Sequence, residues 1–513
     1  MRMAKISLAT LIIFLALVLT VLSSQQINLT TADLGRHIKN GEMFFQNFSV
    51  PQGNIYSYTN PDHPFINHHW GSGVIFYLVH SLAGFNGLSV LFILLSLATF
   101  LIFFHIAVKY SDLVIAAIVS IFVIPVLGSR VEIRPEIFSY LFLGLFFWIL
   151  WNYNNEKISR YWLLFLPVII FIWVNLHIYF FLGIAMIGAF LVSDCVGYLI
   201  AKDKKIIQQS KWLLIVLILS GFASLINPAG IDGALYPLKI FNDYGYRLFE
   251  NQSVWFIEKL MDYPPALYFE IVFGILSLSW IAVIYMAIKN RMKFSVVNFI
   301  LALSFGAMGW LAIRNFTIFG YFALPITAIN MKSLFGKKPN EFEGAEYFST
   351  LFSVIIILVI LIMININYWH SRSDIGLGVE PEVNGAVGFF KKENMKGPIF
   401  NNYDIGGYLI YHLYPKERVF VDNRPEAYPK SFFEETYVPM QEKDEIWQKE
   451  LEKYKFNVIF FYRNDLTPWA QSFLIRRVSD PDWALVYAND YTIIFLRRND
   501  QNKPLIQKYE LLK

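Results

Sequence analysis

Eleven apolar windows recur between Ile6 and Ile366, separated by short polar breaks. Inside a bilayer no water satisfies backbone N–H and C=O groups, so segments patterned this way must close their own hydrogen bonds as helices. A crossing takes about 20 mostly apolar residues, with shorter ones tolerated. The windows are Ile6–Leu22, Leu88–Val108, Leu113–Leu127, Ile137–Trp151, Trp162–Val174, Phe180–Ile200, Trp212–Ile226, Leu267–Ile288, Val297–Leu311, Phe316–Met331 and Leu351–Ile366. With 56% hydrophobic and 16% charged residues, the chain reads as a polytopic α-helical membrane protein. The formal charge of +4 is small and spread over loops, which argues against a nucleic-acid footprint. Cys195, the one cysteine, lies in an apolar window, so no intramolecular disulfide can form.

The first window follows Arg2 and Lys5. A cleaved signal peptide is its alternative, with Ser23 and Ser24 near a cleavage point, but the apolar run is long for one. Trp70–Ala83 has few apolar residues for a crossing and holds Gly71, Ser72, Gly73 and His80; it is expected to be interfacial or re-entrant. Leaving it out of the count places Lys109, Lys157–Arg160, Lys202–Lys211, Lys289–Lys293 and Lys332–Lys338 on the side of Arg2 and Lys5. That basic side is cytoplasmic by the positive-inside rule. The outer side receives the large first loop (24–85), Arg130–Arg134, Asn175–His177, Asn227–Pro265 and Arg314-Asn315. Residues 371–513 are rich in Lys, Glu, Asp and Asn and have no long apolar run. The expectation is a transmembrane domain over 1–370 in the plasma membrane, and an extracytoplasmic α/β domain over 371–513 large enough for its own core. Strands are expected within Arg418–Arg424, Val458–Tyr462 and Thr492–Leu496, with a helix at Asp444–Lys455.

Ionisable groups at a membrane boundary are costly and mark sites. Asp33 and His37 are spaced i, i+4 and share one face of a helix. The carboxylate suits a general base or a divalent-cation ligand; a helix cap or a solvated charge is the plain alternative. His68 and His69, in Asn67-His68-His69-Trp70, suit hydrogen bonds to a sugar or phosphate, or a metal, unless Trp70 is simply an interfacial anchor. Arg130, Arg134 and Arg314 lie outside against the charge bias. Their forked donors match phosphate oxygens, with pairing of Arg134 to Glu132 or Glu136 as the alternative. His177 and Asn227 interrupt apolar runs and either face the same cavity or turn the chain. Asp404 sits in a Tyr403-Asp404-Ile405-Gly406-Gly407 turn at a strand end, a place for functional residues or for turn chemistry alone.

The order of these features resembles the GT-C superfamily of polyprenyl-phosphate-sugar glycosyltransferases. Asp33-Leu34-Gly35-Arg36-His37, Tyr56-Ser57-Tyr58-Thr59, Asn67-His68-His69-Trp70, Ile133-Arg134-Pro135-Glu136-Ile137-Phe138-Ser139 and Asn175-Leu176-His177 are similar to a prokaryotic group of them. Asn402-Tyr403-Asp404-Ile405-Gly406-Gly407-Tyr408 and Val421-Asp422-Asn423-Arg424 extend the likeness into the tail. The first of these tail motifs resembles the WWDYG acceptor motif of oligosaccharyltransferases, with both tryptophans and the tyrosine replaced.

The resemblance implies a GT-C-like membrane fold and transfer of a sugar, with inversion, from a polyprenyl-phosphate-linked donor to an acceptor that the sequence does not name. The first-loop acid of the family falls on Asp33, as catalytic base or metal ligand. His37, His68, His69, Arg130, Arg134, His177, Arg314 and Asp404 are the candidate substrate-binding residues. Membrane lipid and the lipid-linked sugar are the expected partners, and nucleic acid is not. The cofactor is open: Mg2+ or Mn2+ would suit the family, but the first loop has no Asp-x-Asp. A transporter or flippase of lipid-linked sugars, or a non-catalytic receptor or scaffold, are the rival functions. The first would place its charges near the bilayer midplane, and the second leaves Asp33 and the outer arginines without a task.

Overall fold

The computed structural model describes residues 2–239, 243–289, 292, 294–335, 352–353, 356–357, 359, 363 and 374–511, with side chains from residue 10 on. The window Leu351–Ile366 and the boundary near residue 370 lie largely outside these residues. The helices of the first part are α1 (Arg2–Ser23), α2 (Leu34–Asn47), α3 (Trp70–Tyr110), α4 (Leu113–Leu127), α5 (Glu136–Asn154), α6 (Phe165–Val174) and α7 (Phe180–Ala201). They continue as α8 (Lys204–Ser224), α9 (Gly230–Leu235), α10 (Val254–Leu260), α11 (Pro264–Ile288), α12 (Val296–Leu311) and α13 (Phe316–Phe335). The ten apolar windows from Ile6 to Met331 all fall on helix. Among the described residues six helices, α3, α5, α7, α8, α11 and α13, are long and apolar enough to cross a membrane. Thr10–Ser23, Leu113–Leu127, Arg160–Val174 and Val296–Leu311 are shorter apolar helices.

Two local devices place the site. Gly84 interrupts α3 at φ 60°, ψ −157°, a conformation open to glycine because it lacks a Cβ. The kink sets the arm Trp70–Ala83 off from the apolar window that follows. The arm is helical and packs on α2, an amphipathic helix whose buried face carries Arg36, His37 and Asn40 among apolar residues. Glycines let the two backbones touch. A Cβ on Gly41 would stand 2.2 Å from the carbonyl oxygen of Gly73, and one on Gly73 would stand 2.7 Å from that of His37.

From residue 374 the chain builds a four-stranded mixed sheet flanked by helices. The strands are β1 (Ile399–Asn401), β2 (Val458–Tyr462), β3 (Trp483–Ala488) and β4 (Thr492–Arg497), in the order β1-β2-β4-β3. The β1–β2 pair is parallel and the other two pairs are antiparallel. The helices are α14 (Gly385–Lys392), α15 (Gly406–Leu413), α16 (Asp444–Tyr454), α17 (Ala470–Val478) and α18 (Lys503–Tyr509). An aromatic core of Phe400, Phe420, Trp447, Phe456, Phe461 and Phe473 fills one side of the sheet. The strand expected within Arg418–Arg424 is absent from it. That segment makes only an isolated bridge, Val419 to Ser57. Its backbone is taken up instead by the Asn401 side chain, which accepts from Phe420 N at 2.9 Å and donates to Val421 O at 2.7 Å.

The tail is sewn onto the first loop. Gln25 bridges Ile375 and Ile27 bridges Val379. Tyr58 donates to Ile399 O at 2.8 Å, and Arg424 donates to Asn54 at 2.7 Å. Arg424 also grips Asp422 through two hydrogen bonds of 2.7 and 2.6 Å, both residues being almost wholly buried. Breaking such a pair by removing one partner costs about 3–5 kcal/mol. Here it fixes the loop that presents the residue between them, Asn423.

Candidate active site

Asp33 stands at the N-cap position of α2, yet its side chain makes no capping bond. Its carboxylate turns elsewhere. It accepts a hydrogen bond from the Asn423 amide, lies 3.6 Å from Arg134 Nη1 and lies 4.0 Å from Arg36 Nη2. Arg36 Nε donates to Asn423 Oδ1 at 3.1 Å, closing a small ring of three side chains. Burial pushes the Asp33 carboxyl above the usual range, against the pull of Arg134 and then Arg36.

Two glycines make this ring possible. A Cβ on Gly406 would fall 2.4 Å from Asp422 Cα, and one on Gly35 would fall 2.8 Å from Gly407 O. Gly406 therefore serves the close approach of α15 to the Asn423 loop, and Gly35 that of α2 to α15.

Arg130, Arg134 and Arg314 converge on one carboxylate, Glu250, in the long loop between α9 and α10. Arg130 Nη2 donates to Glu250 Oε2 at 2.8 Å and Arg134 Nη1 donates to the same oxygen at 3.0 Å. Arg314 Nη1 stands 3.6 Å from Glu250 Oε1. Each arginine has a further acid. Arg130 pairs with Glu136, Arg134 with Glu132 at 2.6 Å, and Arg314 with Glu136 at 3.6 Å. Ion pairing and convergence on one point thus coexist. Burial pushes the Glu250 carboxyl up, but the three arginines outweigh it and hold the group well below its ordinary range. The sequence offers no local sign of Glu250. The available signal was charge balance, three outer arginines against the two nearby acids Glu132 and Glu136.

Two adjoining cavities share Asp33, Arg134, Glu250, Arg314 and Asn423 in their walls. One, of about 350 Å³, is lined by Arg130, Glu132 and Asp404 on its polar side and by Leu248, Phe249, Tyr263 and Ile313. The other, of about 240 Å³, is lined by His37, His68, His69 and His177. All nine residues singled out in the sequence therefore meet around this pair of cavities.

The histidines form one cluster. His69 packs on His68 at 3.9 Å between ring centres, on His177 at 5.2 Å and on His37 at 5.4 Å. Ser139 Oγ lies 2.7 Å from His177 Nδ1. Burial lowers all four rings below the ordinary histidine range, His68 to about 4. Asp404 is pushed up to about 7 by burial, then by Asp465 and Asp33.

Asn175 and Asn227 do structural work. Asn175 accepts from Trp70 Nε1 at 2.9 Å and caps the chain ends at Phe171 and Ile226. Asn227 closes a turn onto Ser224 and Gly230. Among the described residues no three His, Cys, Asp or Glu side chains are arranged to hold a metal ion. The carboxylates here are tied to arginines and an amide, so the donor set does not fit Mg2+ or Mn2+, and no step below uses either.

A helical membrane-type bundle joined to a small mixed sheet is a fold that this chain shares with solved structures of other proteins. The chain is similar to the oligosaccharyltransferase of Archaeoglobus fulgidus in the apo form, with TM-score 0.61 and 12% identity over 96% of this chain and 74% of that one. It is similar to the same organism's AglB in complex with an inhibitory peptide and a dolichol-phosphate, with TM-score 0.57 and 11% identity over 96% and 74%. ArnT from Cupriavidus metallidurans bound to undecaprenyl phosphate matches with TM-score 0.51 and 11% identity over 95% and 97%. At these identities the likeness is one of fold. No family model matches the sequence, and no curated protein does.

Proposed function

We propose that this protein is an integral membrane glycosyltransferase that moves a sugar, a hexose or pentose, from a polyprenyl-phosphate carrier to an acceptor outside the membrane. The observation that carries the reading is the gathering of Arg130, Arg134 and Arg314 on one anionic point beside the Asp33 carboxylate. Forked guanidinium donors match phosphate oxygens, and a neighbouring base is what the other half of the reaction needs. The fold supports it, since a protein with this fold is solved with a dolichol-phosphate and another with undecaprenyl phosphate.

In the proposed step the acceptor hydroxyl gives its proton to Asp33 while its oxygen bonds to the anomeric carbon. The bond from that carbon to the phosphate oxygen breaks, and the electron pair leaves with the phosphate. The arginines stabilise that growing charge, and attack opposite the leaving group inverts the centre. Asp404, on the tail, helps place the acceptor. His37, His68, His69 and His177 bind substrate.

The proposed topology has eleven spans, with a membrane domain over 1–370 and the domain 371–513 outside, at the plasma membrane. Labelling of Lys205→Cys from outside intact cells, with none of Ser431→Cys, would reverse that orientation. The function itself is tested by transfer of radiolabelled sugar from a polyprenyl-phosphate donor in proteoliposomes. No transfer to any hydroxyl acceptor, with the donor bound, would refute it.

A further inference from the structure

A third cavity shares no residue with the two described above. It belongs to the hairpin of α7 and α8, two helices that pack together and are each long and apolar enough to cross a membrane. Beside their link, Lys202-Asp203, a space of about 500 Å³ is walled by Tyr198, Lys204, Ile207, Gln208, Lys211 and Trp212. Its two charged residues are both cations, and no acid lines it. The acids nearby in the chain are taken. Glu156 pairs with Lys205 at 2.6 Å, Asp203 accepts from Lys205 N at 2.8 Å, and Asp194 accepts from Ser210 at 3.1 Å. Among the described residues Lys204 and Lys211 have no carboxylate partner, and both are exposed. The Arg160 guanidinium, from the helical turn before α6, stands 4.8 Å over the ring of Trp212. Cations in such number without acids to match select an anion. The apolar part of the wall selects what carries it. Past Lys211, the same face of α8 continues as Ile215, Leu219 and Phe222, at i+4, i+8 and i+11, all three exposed. Tyr198 and Trp212 stand where the charged and apolar parts meet, the place of amphipathic rings at a bilayer interface. A phosphate in the cavity with a hydrocarbon chain along this stripe matches both parts at once; a free anion uses only the first.

We propose that this cavity binds the headgroup phosphate of an anionic phospholipid, drawn from the leaflet on the basic side of the membrane, with an acyl chain along Ile215, Leu219 and Phe222. Lys204 and Lys211 lie two turns apart on α8, about 10 Å along its axis, and their flexible stems let both ammonium groups reach one phosphate. Basic pockets between membrane helices on the cytoplasmic side are suited to such headgroups. The inference rests on α7 and α8 crossing a membrane. It goes beyond sugar transfer and stands whether or not transfer is found.

The test uses the full-length protein in nanodiscs of phosphatidylcholine with a rising fraction of phosphatidylglycerol. Native mass spectrometry reads the lipid that each protein retains. Phosphatidylglycerol should be retained in preference to phosphatidylcholine. The double variant Lys204→Gln/Lys211→Gln should weaken that retention about thirtyfold, the worth of two lysines near an anionic headgroup. Lys204→Arg/Lys211→Arg keeps both charges and should keep the lipid. Lys202→Gln/Lys289→Gln removes as much charge from the same side, outside the cavity wall, and should leave most of the retention in place. All these lysines are exposed, so melting in pure phosphatidylcholine should be unchanged, which shows that the variants fold. Soluble glycerol phosphate should not displace the lipid. Equal retention of both lipids, an equal loss from the Lys202/Lys289 pair, or displacement by glycerol phosphate overturns the proposal. The first leaves no anion site, the second a diffuse basic surface, and the third a phosphate site that does not read lipid.

Discussion

The side-chain amide of Asn423 donates to the carboxylate of Asp33, 390 positions earlier in the chain. A donor to the ionised form lowers a carboxyl pKa, so this contact works against the burial that raises it. Asn423→Ala is expected to lower sugar transfer about tenfold, the worth of roughly one charge-assisted hydrogen bond. It should also move the acid limb of the pH–rate profile to higher pH. Asn423→Asp should move it further by adding like charge. A rate loss with an unmoved profile would limit Asn423 to a structural part.

Asp33→Asn keeps the shape of the side chain and loses the base. A general base contributes about 10²–10⁴-fold, and turnover in proteoliposomes should fall by that much while bare polyprenyl phosphate still binds. Near-normal transfer would remove Asp33 from the mechanism.

Glu250 fills the point on which the three arginines converge, so under the proposed function the donor phosphate has to compete with it. Glu250→Gln should tighten binding of bare polyprenyl phosphate by about tenfold or more, since a charged hydrogen bond is worth about 1.5–3 kcal/mol. It should also lower the melting temperature of the lipid-free protein. Ala at Arg130, Arg134 or Arg314 should weaken the same binding, with Lys a partial rescue because it lacks the fork.

Asp404 gives a stability signature. Its folded pKa of about 7 exceeds the ordinary 3.8, so the fold binds this proton more tightly than the unfolded chain does. Stability contributed by the protonated form is complete below about pH 4 and is lost as pH rises towards 7, by at most about 1.4 kcal/mol per pH unit. Asp404→Asn, which mimics the protonated acid, should melt higher than the natural protein at pH 8 and alike at pH 4. Parallel curves at both pH values would contradict this.

Gly41 has no room for a methyl group against the Gly73 carbonyl. Gly41→Ala should cost about 1–3 kcal/mol by overpacking and disturb His37 and Asp33 on the same helix. Gly388→Ala, in α14 with nothing within 4 Å, is the matched control and should leave stability unchanged or raised. Thermal unfolding of both variants checks the contrast.

The helices of the first part were legible because apolar windows declare themselves by length alone. Charges in an apolar setting stand out as well, which is why Asp33, the three arginines and the histidines were visible in the sequence. Glu250 was not visible, because an acid in a polar loop carries no local mark; only its three partners, two from the α4–α5 turn and one from the turn before α13, give it meaning. The Arg418–Arg424 segment read as a strand because Val419, Phe420 and Val421 form a short β-favouring run ending in polar residues, but the Asn401 side chain satisfies its backbone in place of a neighbouring strand. The strand β3 was missed for the converse reason. Its apolar run, Trp483–Ala488, is short and irregular, and its bulge between Leu485 and Tyr487 breaks the alternation.

The stitching of the tail to the first loop sets an order in time. On the ribosome, Asp33 and the loop around Ser57 emerge long before Val419 and Asn423 exist to meet them. Through most of synthesis the acid therefore lacks the amide that orients it, and Asn54 lacks Arg424. A chain that stops early can insert its helices but cannot assemble the ring of Asp33, Arg36 and Asn423. Completion of the ring is thus reserved for finished copies.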